Sequence, residues 1–381
     1  MRILHTALRY PPASGGVETY VQQIVERTRD IKAGRDVRVL TSSLRTHGPI
    51  SQLEASQLID DPMYVQRLRT VATPWLSYPR LLGLEHYLGH HRPNILHSYS
   101  FWYQPADVTA RYAKKYHLPF FFHPIYYENT IRQKLAWQVY KKTIGHKTFA
   151  AADVVIVISP QEKELIVKAG FAVKRFELIP PGIDEANFTS GRLNPFLKRG
   201  IRGRVIITVS RLAPGKRLQD AVSAMPNVLK QHPDAHLAII GEDFGSRAGL
   251  EADAKQLGVS QHVHFLGRLP DEELRAAYEH ADIMLHTSEY EAFGITLAES
   301  LAAGTPVVAR NVGAVSYVVP DGLAGFLFDT TDGIASHINT LLSDEGNRLR
   351  LGRQGREHVS KNFTWDKSIT TLKNLYNEFT R

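Results

Sequence analysis

The sequence has 381 residues, which is enough for two or three domains of ordinary size. Hydrophobic residues make up 43% and charged residues 22%, which argues against a disordered, collagen-like or coiled-coil protein. Cysteine is absent, and this excludes disulfides, thiolate metal sites and a cysteine nucleophile.

The formal net charge of +8 lies in the first half of the chain. Residues 1–190 carry 24 basic and 16 acidic side chains, an excess of eight, whereas residues 191–381 carry 22 of each. We therefore expect an anionic partner for the first half, but not a nucleic acid, because no nucleic-acid-binding motif accompanies the charge. The start lacks a signal peptide and no apolar run reaches the roughly 18–20 residues that span a bilayer. These features predict a cytoplasmic protein, with any membrane contact peripheral and at the inner face.

Short apolar runs alternate with amphipathic segments from the beginning of the chain. A helix is predicted at 17–31, and strands are predicted at 2–7, 36–40, 94–97, 118–123 and 154–159. The strand segments are rich in β-branched residues and lack polar alternation, as expected for parallel strands covered on both faces. Strand–helix–strand repetition of this kind predicts a doubly wound α/β sheet.

A polar, basic stretch with Gly and Pro at 190–203 interrupts this pattern and predicts a linker. Alternation then restarts, with predicted strands at 205–210, 236–241, 262–266, 283–287 and 306–310 and predicted helices at 218–231, 271–280 and 293–303. We therefore predict two Rossmann-like domains, 1–190 and 200–362, and a terminal helix at 363–381. Each domain would bind its ligand at the carboxyl ends of its strands.

The strongest chemical signal is the segment SEYEAFGITLAE, which follows a predicted strand and opens a predicted helix. Phe293, Gly294 and Ile295 lie at the start of that helix, where unpaired backbone N–H groups and the helix dipole favour an anion. Glu291 precedes this start and Glu299 follows it, so their carboxylates could hold hydroxyl groups on either side of a bound diphosphate. A solvated helix with an acidic start gives the same pattern, so both interpretations stay open.

Three further candidates follow predicted strands. Arg211 and Lys216 come after the first strand of the second domain, where two cations can neutralise a diphosphate or simply form a basic loop. Gly15 and Gly16 lie between the first strand and the first helix, where glycines let the backbone approach a ligand, although the pattern is not G-x-G-x-x-G. His123 ends a buried strand and can face the cleft in a catalytic or binding role, or serve as a core histidine.

In this order the residues resemble the family 4 glycosyltransferases, retaining enzymes of the GT-B fold that carry two glutamates separated by seven residues. The motifs that carry the resemblance are GGVE, IPPGID, SRLAPGK, GRLP, EAFGITLAE and GTPVV, and together they cover nearly the whole chain. The resemblance implies two Rossmann-like domains facing each other across a cleft, with the terminal helix returning to the first domain. It also implies transfer of a sugar from a nucleotide sugar, a UDP- or GDP-sugar, to an acceptor hydroxyl with retention of the α configuration.

The resemblance further assigns roles to the candidate residues. Residues implied to bind the donor diphosphate and its neighbourhood are Gly15, Gly16, Arg211, Lys216, Phe293, Gly294 and Ile295, with Glu299 on the ribose hydroxyls. Glu291 is implied to contact the donor sugar, and His123 is implied to contact that sugar near the reacting carbon through its imidazole or its backbone. Both are implied to be catalytic residues. The family often has Asp after the histidine, whereas Pro124 follows it here. No cofactor and no metal are expected, because the sequence contains no Asp-x-Asp pair and two cations are available.

The acceptor is less defined. The first domain of GT-B enzymes generally holds it, and a glycan or lipid-linked acceptor of cell-envelope polysaccharide synthesis is the expectation. Residues 131–150 form a basic segment with interleaved apolar side chains, which is typical either of a helix on an anionic membrane or of a solvated helix packed on the sheet. A sugar phosphorylase, a sucrose-type synthase and a sugar-nucleotide epimerase of the same fold are the alternative functions. The sequence leaves the donor base, the sugar and the oligomeric state undetermined.

Overall fold

The protein is represented by a computed structural model that describes residues 1–13, 15–44, 63–71, 78–128, 134–188 and 191–380. The chain divides into two compact units, one formed by Met1–Pro180 with Asp366–Arg381 and the other by Pro181–Trp365. Each unit has its own parallel sheet and its own hydrophobic core. The predicted α/β class with two parallel-sheet domains is confirmed.

The strands of the first unit are β1 (Arg2–Thr6), β2 (Asp36–Ser42), β3 (Val65–Leu68), β4 (Thr70–Val71), β5 (Arg80–Leu81), β6 (Ile95–Tyr99), β7 (Phe120–His123), β8 (Val154–Val157) and β9 (Phe176–Leu178). Seven of them form one parallel sheet in the order β3-β2-β1-β6-β7-β8-β9, and β4 pairs antiparallel with β5. The strands β6, β7 and β8 are buried along their whole length, which explains the nearly continuous apolar sequences of β7 and β8.

The helices of the first unit are α1 (Gly16–Thr28), α2 (Leu84–His91), α3 (Gln104–Tyr116), α4 (Lys134–Tyr140), α5 (His146–Ala151) and α6 (Pro160–Lys168), with a π-helical turn at Lys141–Gly145. Local sequence explains the start of α6. The side chain of Ser159 accepts a hydrogen bond from the amide of Glu162, and Pro160 occupies the first helical position, where its missing N–H costs nothing.

The second unit contains strands β10 (Arg204–Val209), β11 (Ala235–Ile240), β12 (Val263–Gly267), β13 (Ile283–His286), β14 (Val307–Arg310) and β15 (Gly325–Phe328). Its helices are α7 (Leu218–Leu229), α8 (Arg247–Gln256), α9 (Asp271–His280), α10 (Ile295–Ala303), α11 (Val315–Val318), α12 (Asp332–Ser343) and α13 (Glu345–Asn362). The last helix, α14 (Trp365–Glu378), belongs almost entirely to the first unit. Within the described ranges, every helix is too short or too polar to span a bilayer.

Both sheets reverse their strand order beside the first strand. The second sheet runs β12-β11-β10-β13-β14-β15, so the reversal lies between β10 and β13, and in the first sheet it lies between β1 and β6. At such a point the loops after the two strands diverge to opposite faces, and the crevice that opens at the carboxyl ends is the usual ligand site of doubly wound sheets. In the second unit this crevice lies between the loops that follow β10 and β13.

The segment predicted as a linker packs onto the second unit from residue 191 onward. Phe196 and Ile201 are buried, and the guanidinium of Arg199 lies 2.5 Å from the Glu273 carboxylate of α9. The boundary between the units accordingly falls at Pro180–Pro181, ahead of the predicted position. Two apolar side chains spaced five residues apart give no periodic signal, so the sequence pattern predicts a linker here.

Candidate functional site

The loops that follow β10 and β13 are tied to each other by two hydrogen bonds. The hydroxyl of Thr287 donates to the carbonyl of Lys216 at 2.8 Å, and the amide of Glu289 donates to the carbonyl of Gly215 at 3.0 Å. These bonds close the two loops over the point where the strand order reverses. Lys216 of the first loop and Glu291 of the second are thereby brought into contact.

Glu291 is the centre of this site. Lys216 Nζ donates to Glu291 Oε2 at 3.1 Å, and His286 Nε2 donates to the same oxygen at 3.2 Å. His286 is the last residue of β13 and is buried, and its Nδ1 has no hydrogen-bond partner in the part of the chain that the structure describes. Two donors therefore fix Oε2, whereas Oε1 has no hydrogen-bond donor among the described residues.

The charge of Glu291 is set by opposing effects. Burial by itself raises the pKa of a carboxyl group, but the Lys216 charge and the His286 hydrogen bond outweigh it and lower the pKa of Glu291 from 4.5 to about 2. Glu291 is therefore an anion throughout the physiological pH range. A carboxylate held in this way can accept hydrogen bonds from hydroxyl groups, which is what recognition of a sugar requires.

The main chain of Glu291 is held by the loop after β14. The amide of Ala314 donates to the Glu291 carbonyl at 2.9 Å. Gly313 precedes it with a φ of +53°, and a Cβ at this position would lie 2.1 Å from the same carbonyl oxygen. Glycine is thus required at 313 because the two loops approach each other too closely for a side chain.

The helix α10 begins at Ile295, two residues later than the prediction of 293. Gly294 has a φ of +93°, outside the helical region, and its carbonyl accepts the first turn's bonds from the amides of Leu297 and Ala298. Among the described residues, no acceptor pairs with the amide N–H groups of Phe293, Gly294 or Ile295. This end of α10 therefore presents unpaired donors and the positive end of the helix dipole beside Lys216 and Glu291.

Glu299 lies on α10, one to two turns beyond this end. The hydroxyl of Tyr278, a buried residue of α9, donates to Glu299 Oε2 at 2.9 Å. Burial raises the pKa of Glu299 to about 7, although the Tyr278 hydrogen bond and the charge of Arg275 act in the opposite direction. The two glutamates of the motif consequently differ, since Glu291 is always charged whereas Glu299 titrates near neutral pH.

Arg211 follows β10 and is exposed, with its guanidinium 5.3 Å from the ring centroid of Phe244. It makes no ion pair with a carboxylate within the described ranges, so its charge is available to an anion. Among those same residues, no group of three or more His, Asp or Glu side chains is arranged to hold a metal ion.

Gly15 and Gly16 lie in the first unit, where α1 begins at Gly16. A Cβ on Gly15 would lie 2.2 Å from Glu18 Oε2, so the loop folds tightly over that carboxylate. Glu18 is itself paired with Arg9 at 2.6 Å, and both side chains are buried. The Gly15–Gly16 turn thus packs against the buried Arg9–Glu18 ion pair.

His123 ends β7, as the sequence predicts, but its ring is buried. Its Nε2 lies 3.0 Å from the hydroxyl of Tyr20 and its Nδ1 lies 2.7 Å from Nε2 of His97. Both ring nitrogens therefore have protein partners. The contact between this ring and a ligand stays a prediction.

Two residues of the second-unit site escaped the sequence analysis. The sequence offers one signal for His286, which is a polar residue at the end of an apolar strand, shortly before the EAFG segment. Tyr278 gave no signal, because it lies 21 residues before Glu299 on a helix whose other residues look like a solvated surface.

Two family models match the chain. The model described as Glycosyltransferase Family 4 matches residues 14–187, and the model described as Glycosyl transferases group 1 matches residues 197–358. Together they account for both units. The first match ends at residue 187 and the second begins at residue 197, both within 20 residues of the division between the units at Pro180–Pro181.

Two curated relatives share a name. The chain is 35% identical over 243 residues to a D-inositol 3-phosphate glycosyltransferase of Corynebacterium efficiens, a match that covers 60% of this chain and 57% of the relative. A protein of the same name from Acidothermus cellulolyticus is 34% identical over 253 residues, covering 62% and 56%. The match thus spans a little more than half of the length of these relatives.

Solved structures share the fold over nearly the whole chain. A sucrose-phosphate synthase from Thermosynechococcus elongatus gives a TM-score of 0.79 at 22% identity, covering 99% of this chain and 98% of that one. The Anabaena protein HepE, solved with UDP-glucose, gives a TM-score of 0.80 at 20% identity, and the match covers 99% of this chain and 100% of HepE. At these identities the likeness establishes a common fold.

Proposed function

Because this chain belongs to the family 4 glycosyltransferases and has their GT-B fold, we propose that it moves a sugar from a nucleotide sugar to an acceptor hydroxyl with retention of the α configuration. The observation that carries the proposal is the convergence of Lys216, Glu291 and the free end of α10 at the strand-order reversal of the second unit. A UDP- or GDP-sugar is the proposed donor. The UDP-glucose named for the HepE structure supports a donor of this class.

The second unit supplies complementary groups for each part of such a donor. The amides of Phe293, Gly294 and Ile295 and the charges of Arg211 and Lys216 suit a diphosphate. The carboxylate of Glu299, positioned by Tyr278, suits the two hydroxyl groups of a ribose. In the first unit, Gly15 and Gly16 lie where α1 begins, and as glycines they are proposed to let the backbone come close to the donor.

Glu291 is proposed to hold the sugar. Lys216 and His286 occupy Oε2, so Oε1 is the oxygen that would accept a sugar hydroxyl. A fixed anion near the sugar also favours the positive charge that develops on the reacting carbon in an oxocarbenium-like transition state.

The reaction breaks the bond between the anomeric carbon and the leaving phosphate oxygen, and it forms a bond from that carbon to the acceptor oxygen. The acceptor's proton passes to the leaving phosphate oxygen on the same face, so the nucleoside diphosphate leaves and the α configuration is retained. Negative charge grows on the diphosphate as the bond breaks. Lys216, Arg211 and the end of α10 would stabilise it where it develops, so we propose that turnover needs no metal ion.

The acceptor is proposed to be a glycan or a lipid-linked molecule at an anionic membrane surface. In the described part of 131–150, Leu135, Val139 and Ile144 are 79%, 52% and 44% exposed, beside the exposed cations Lys142 and Lys147. Apolar side chains that project among cations are typical of helices that lie on anionic lipid. This arrangement supports the membrane interpretation over a fully packed helix.

A groove next to this segment supports the same proposal. It has a volume of about 1060 Å³, and its lining includes Ile144 and the cations Arg111, Lys114, Lys147 and Lys174. Only Lys174 is recorded with a carboxylate partner in the described ranges, Asp153 at 2.8 Å. The remaining cations are available to phosphate groups.

Flotation with vesicles tests the membrane partner. We expect binding to vesicles containing phosphatidylglycerol and not to pure phosphatidylcholine, with loss at high salt. The double variant Lys142→Glu, Lys147→Glu should float several-fold less, and Lys230→Glu, an exposed site on the second unit, should not differ from the wild type. Binding unaffected by lipid charge, or by the double variant, would remove this partner.

The transferase proposal itself is tested by donor turnover. Thermal-shift screening against UDP-, GDP- and ADP-sugars identifies the donor, because a bound ligand stabilises the folded state by mass action. Release of nucleoside diphosphate from that donor should then fall at least 100-fold in Glu291→Gln. Release of free phosphate from a sugar 1-phosphate would instead identify a phosphorylase, and conversion of the nucleotide sugar into its epimer would identify an epimerase.

A further inference from the structure

Four side chains of the first unit form a continuous buried row. Tyr376 of α14 lies 2.5 Å from His97 Nδ1, His97 Nε2 lies 2.7 Å from His123 Nδ1, and His123 Nε2 lies 3.0 Å from the Tyr20 hydroxyl. The Tyr20 hydroxyl also donates to the carbonyl of Ile179 at 3.1 Å. All four side chains are buried.

The rings are also stacked, which fixes their orientation. His97 and His123 are on the adjacent strands β6 and β7, with ring centroids 4.9 Å apart and planes inclined by 8°. Tyr99 stacks on both of them, at 4.7 Å and 5.3 Å. Neither imidazole can turn over without displacing its neighbours.

The contact at Ile179 determines where every proton in the row lies. A carbonyl oxygen only accepts, so the proton of Tyr20 points to Ile179 and the Tyr20 oxygen must accept from His123. Burial lowers the pKa of both histidines, so each is neutral and carries a single N–H.

With Nε2–H donating to Tyr20, His123 Nδ1 must accept, which requires His97 to carry its proton on Nε2. His97 Nδ1 then accepts from the Tyr376 hydroxyl. Every donor in the row therefore meets an acceptor, in one direction only.

We propose that Tyr376, His97, His123 and Tyr20 form one hydrogen-bond chain with a single proton order, in which His123 is a positioning residue and its ring transfers no proton to or from substrate. Both ring nitrogens of His123 are used within the chain. What the chain positions is α1, which begins at Gly16 and carries Tyr20 one turn later, against the end of β7. This proposal rests on the proposed function in one respect, namely that the ligand contacted by Gly15 and Gly16 is the nucleotide-sugar donor.

The chain also holds the two segments through which the polypeptide leaves and re-enters the first unit. Ile179 immediately precedes Pro180, the last residue before the second unit, and Tyr376 lies on the returning helix α14. On α14, Ser368 adds a hydrogen bond from its hydroxyl to the Pro180 carbonyl at 2.7 Å. Loss of the chain would therefore loosen both segments as well as α1.

Nitrogen-15 NMR of histidine-labelled full-length protein tests the proton order without any substrate. We expect His97 and His123 both to show a protonated Nε2 and an unprotonated Nδ1 at neutral pH. Single His→Gln variants assign the two signals among the 17 histidines. An Nδ1–H form or an imidazolium at either residue would overturn the proposal.

Two phenylalanine variants test the connectivity. Tyr20→Phe removes the acceptor of His123 and should shift the nitrogen signals of both His123 and His97. Tyr99→Phe is the matched control, because it keeps the stacked ring and removes a hydroxyl whose one partner within the described ranges is His5, at 2.9 Å. It should leave the tautomers of His97 and His123 as they are. A Tyr20→Phe effect confined to His123 would contradict a continuous chain.

Turnover of the identified donor separates positioning from proton transfer. The glutamine amide has both N–H donors and a carbonyl acceptor, so it can replace the donor and the acceptor of a neutral histidine. His123→Gln should therefore lose less than about tenfold in turnover, whereas loss of an acid–base group costs roughly 100- to 10,000-fold. His123→Ala should lose more than His123→Gln. If the wild type turns over no nucleotide sugar, the proposed function fails, and the NMR result still decides the proton order.

Discussion

Replacing Lys216 by Met removes the charge that holds Glu291 as an anion. Met has a similar length and no charge, so the substitution isolates the ion pair at 3.1 Å. The Lys216 charge is the largest of the effects that lower the pKa of Glu291, and burial, which raises it, stays in place. We therefore expect the pKa of Glu291 to rise well above 2 in the variant.

The magnitude follows from the wild-type pKa. The interval between the ordinary value of 4.5 and about 2 corresponds to about 3 kcal/mol in favour of the charged form. His286 supplies part of this preference through its own hydrogen bond. The free energy of unfolding should accordingly fall by about 1–3 kcal/mol at pH 7 in Lys216→Met.

The pH dependence has a definite sign. A carboxyl group whose folded-state pKa is lowered stabilises the protein above pH 4.5, and this stabilisation is lost as the pH falls towards 2. The stability gap between wild type and Lys216→Met should therefore be largest at pH 7 and should narrow below about pH 4.

Urea unfolding followed by fluorescence at pH 7 and pH 3.5 measures the gap. Lys230→Met is the control, since Lys230 is exposed and, among the residues that the structure describes, its Nζ bonds to Asn227 alone. A gap that is the same at both pH values, or one no larger than that of Lys230→Met, would refute the electrostatic account of Glu291.

Two other substitutions probe the same unit. The free energy of unfolding of Gly294→Ala should be about 2–4 kcal/mol lower than that of the wild type, because φ is +93° and the new Cβ would lie 2.7 Å from Leu297 Cδ1. Urea unfolding measures it, and the control Gly249→Ala, whose Cβ would have no atom within contact distance, should show no loss. Glu299 has its pKa raised to about 7, so the folded state is progressively destabilised between pH 4.5 and 7. The free energy of unfolding of Glu299→Gln should thus equal that of the wild type at pH 4.5 and exceed it by about 1–3 kcal/mol at pH 8. Equal free energies of unfolding at pH 8 would show that burial does not raise the pKa of Glu299.

The sequence was informative wherever a local pattern determines local structure. The apolar runs of β6, β7 and β10 predicted buried parallel strands, and strand–helix alternation predicted two doubly wound sheets. The family resemblance implies that Arg211 and Lys216 share a site with the EAFG segment, and the strands that precede these two segments, β10 and β13, are neighbours in one sheet. The helix boundary at Gly294 was two residues off, since the left-handed conformation of that glycine ends the loop and cannot be read from periodicity.

Pairings between distant residues could not be predicted from the sequence. Lys216 and Glu291 are 75 residues apart, and His97 and Tyr376 are 279 residues apart, so no spacing rule links them. His123 shows the consequence. Its position at the end of β7 suggested a group that faces a ligand, whereas its partners on α1 and β6 occupy both ring nitrogens.

The stereochemistry of donor turnover tests the central claim most directly. Water serves as an acceptor while the natural one is unknown, so proton NMR can follow the sugar released from the identified donor before its anomers equilibrate. We predict that the α anomer appears first, together with one nucleoside diphosphate per sugar, and that Glu291→Gln suppresses both. Release of the β anomer first, or unchanged release in Glu291→Gln, would contradict a retaining transferase centred on Lys216 and Glu291.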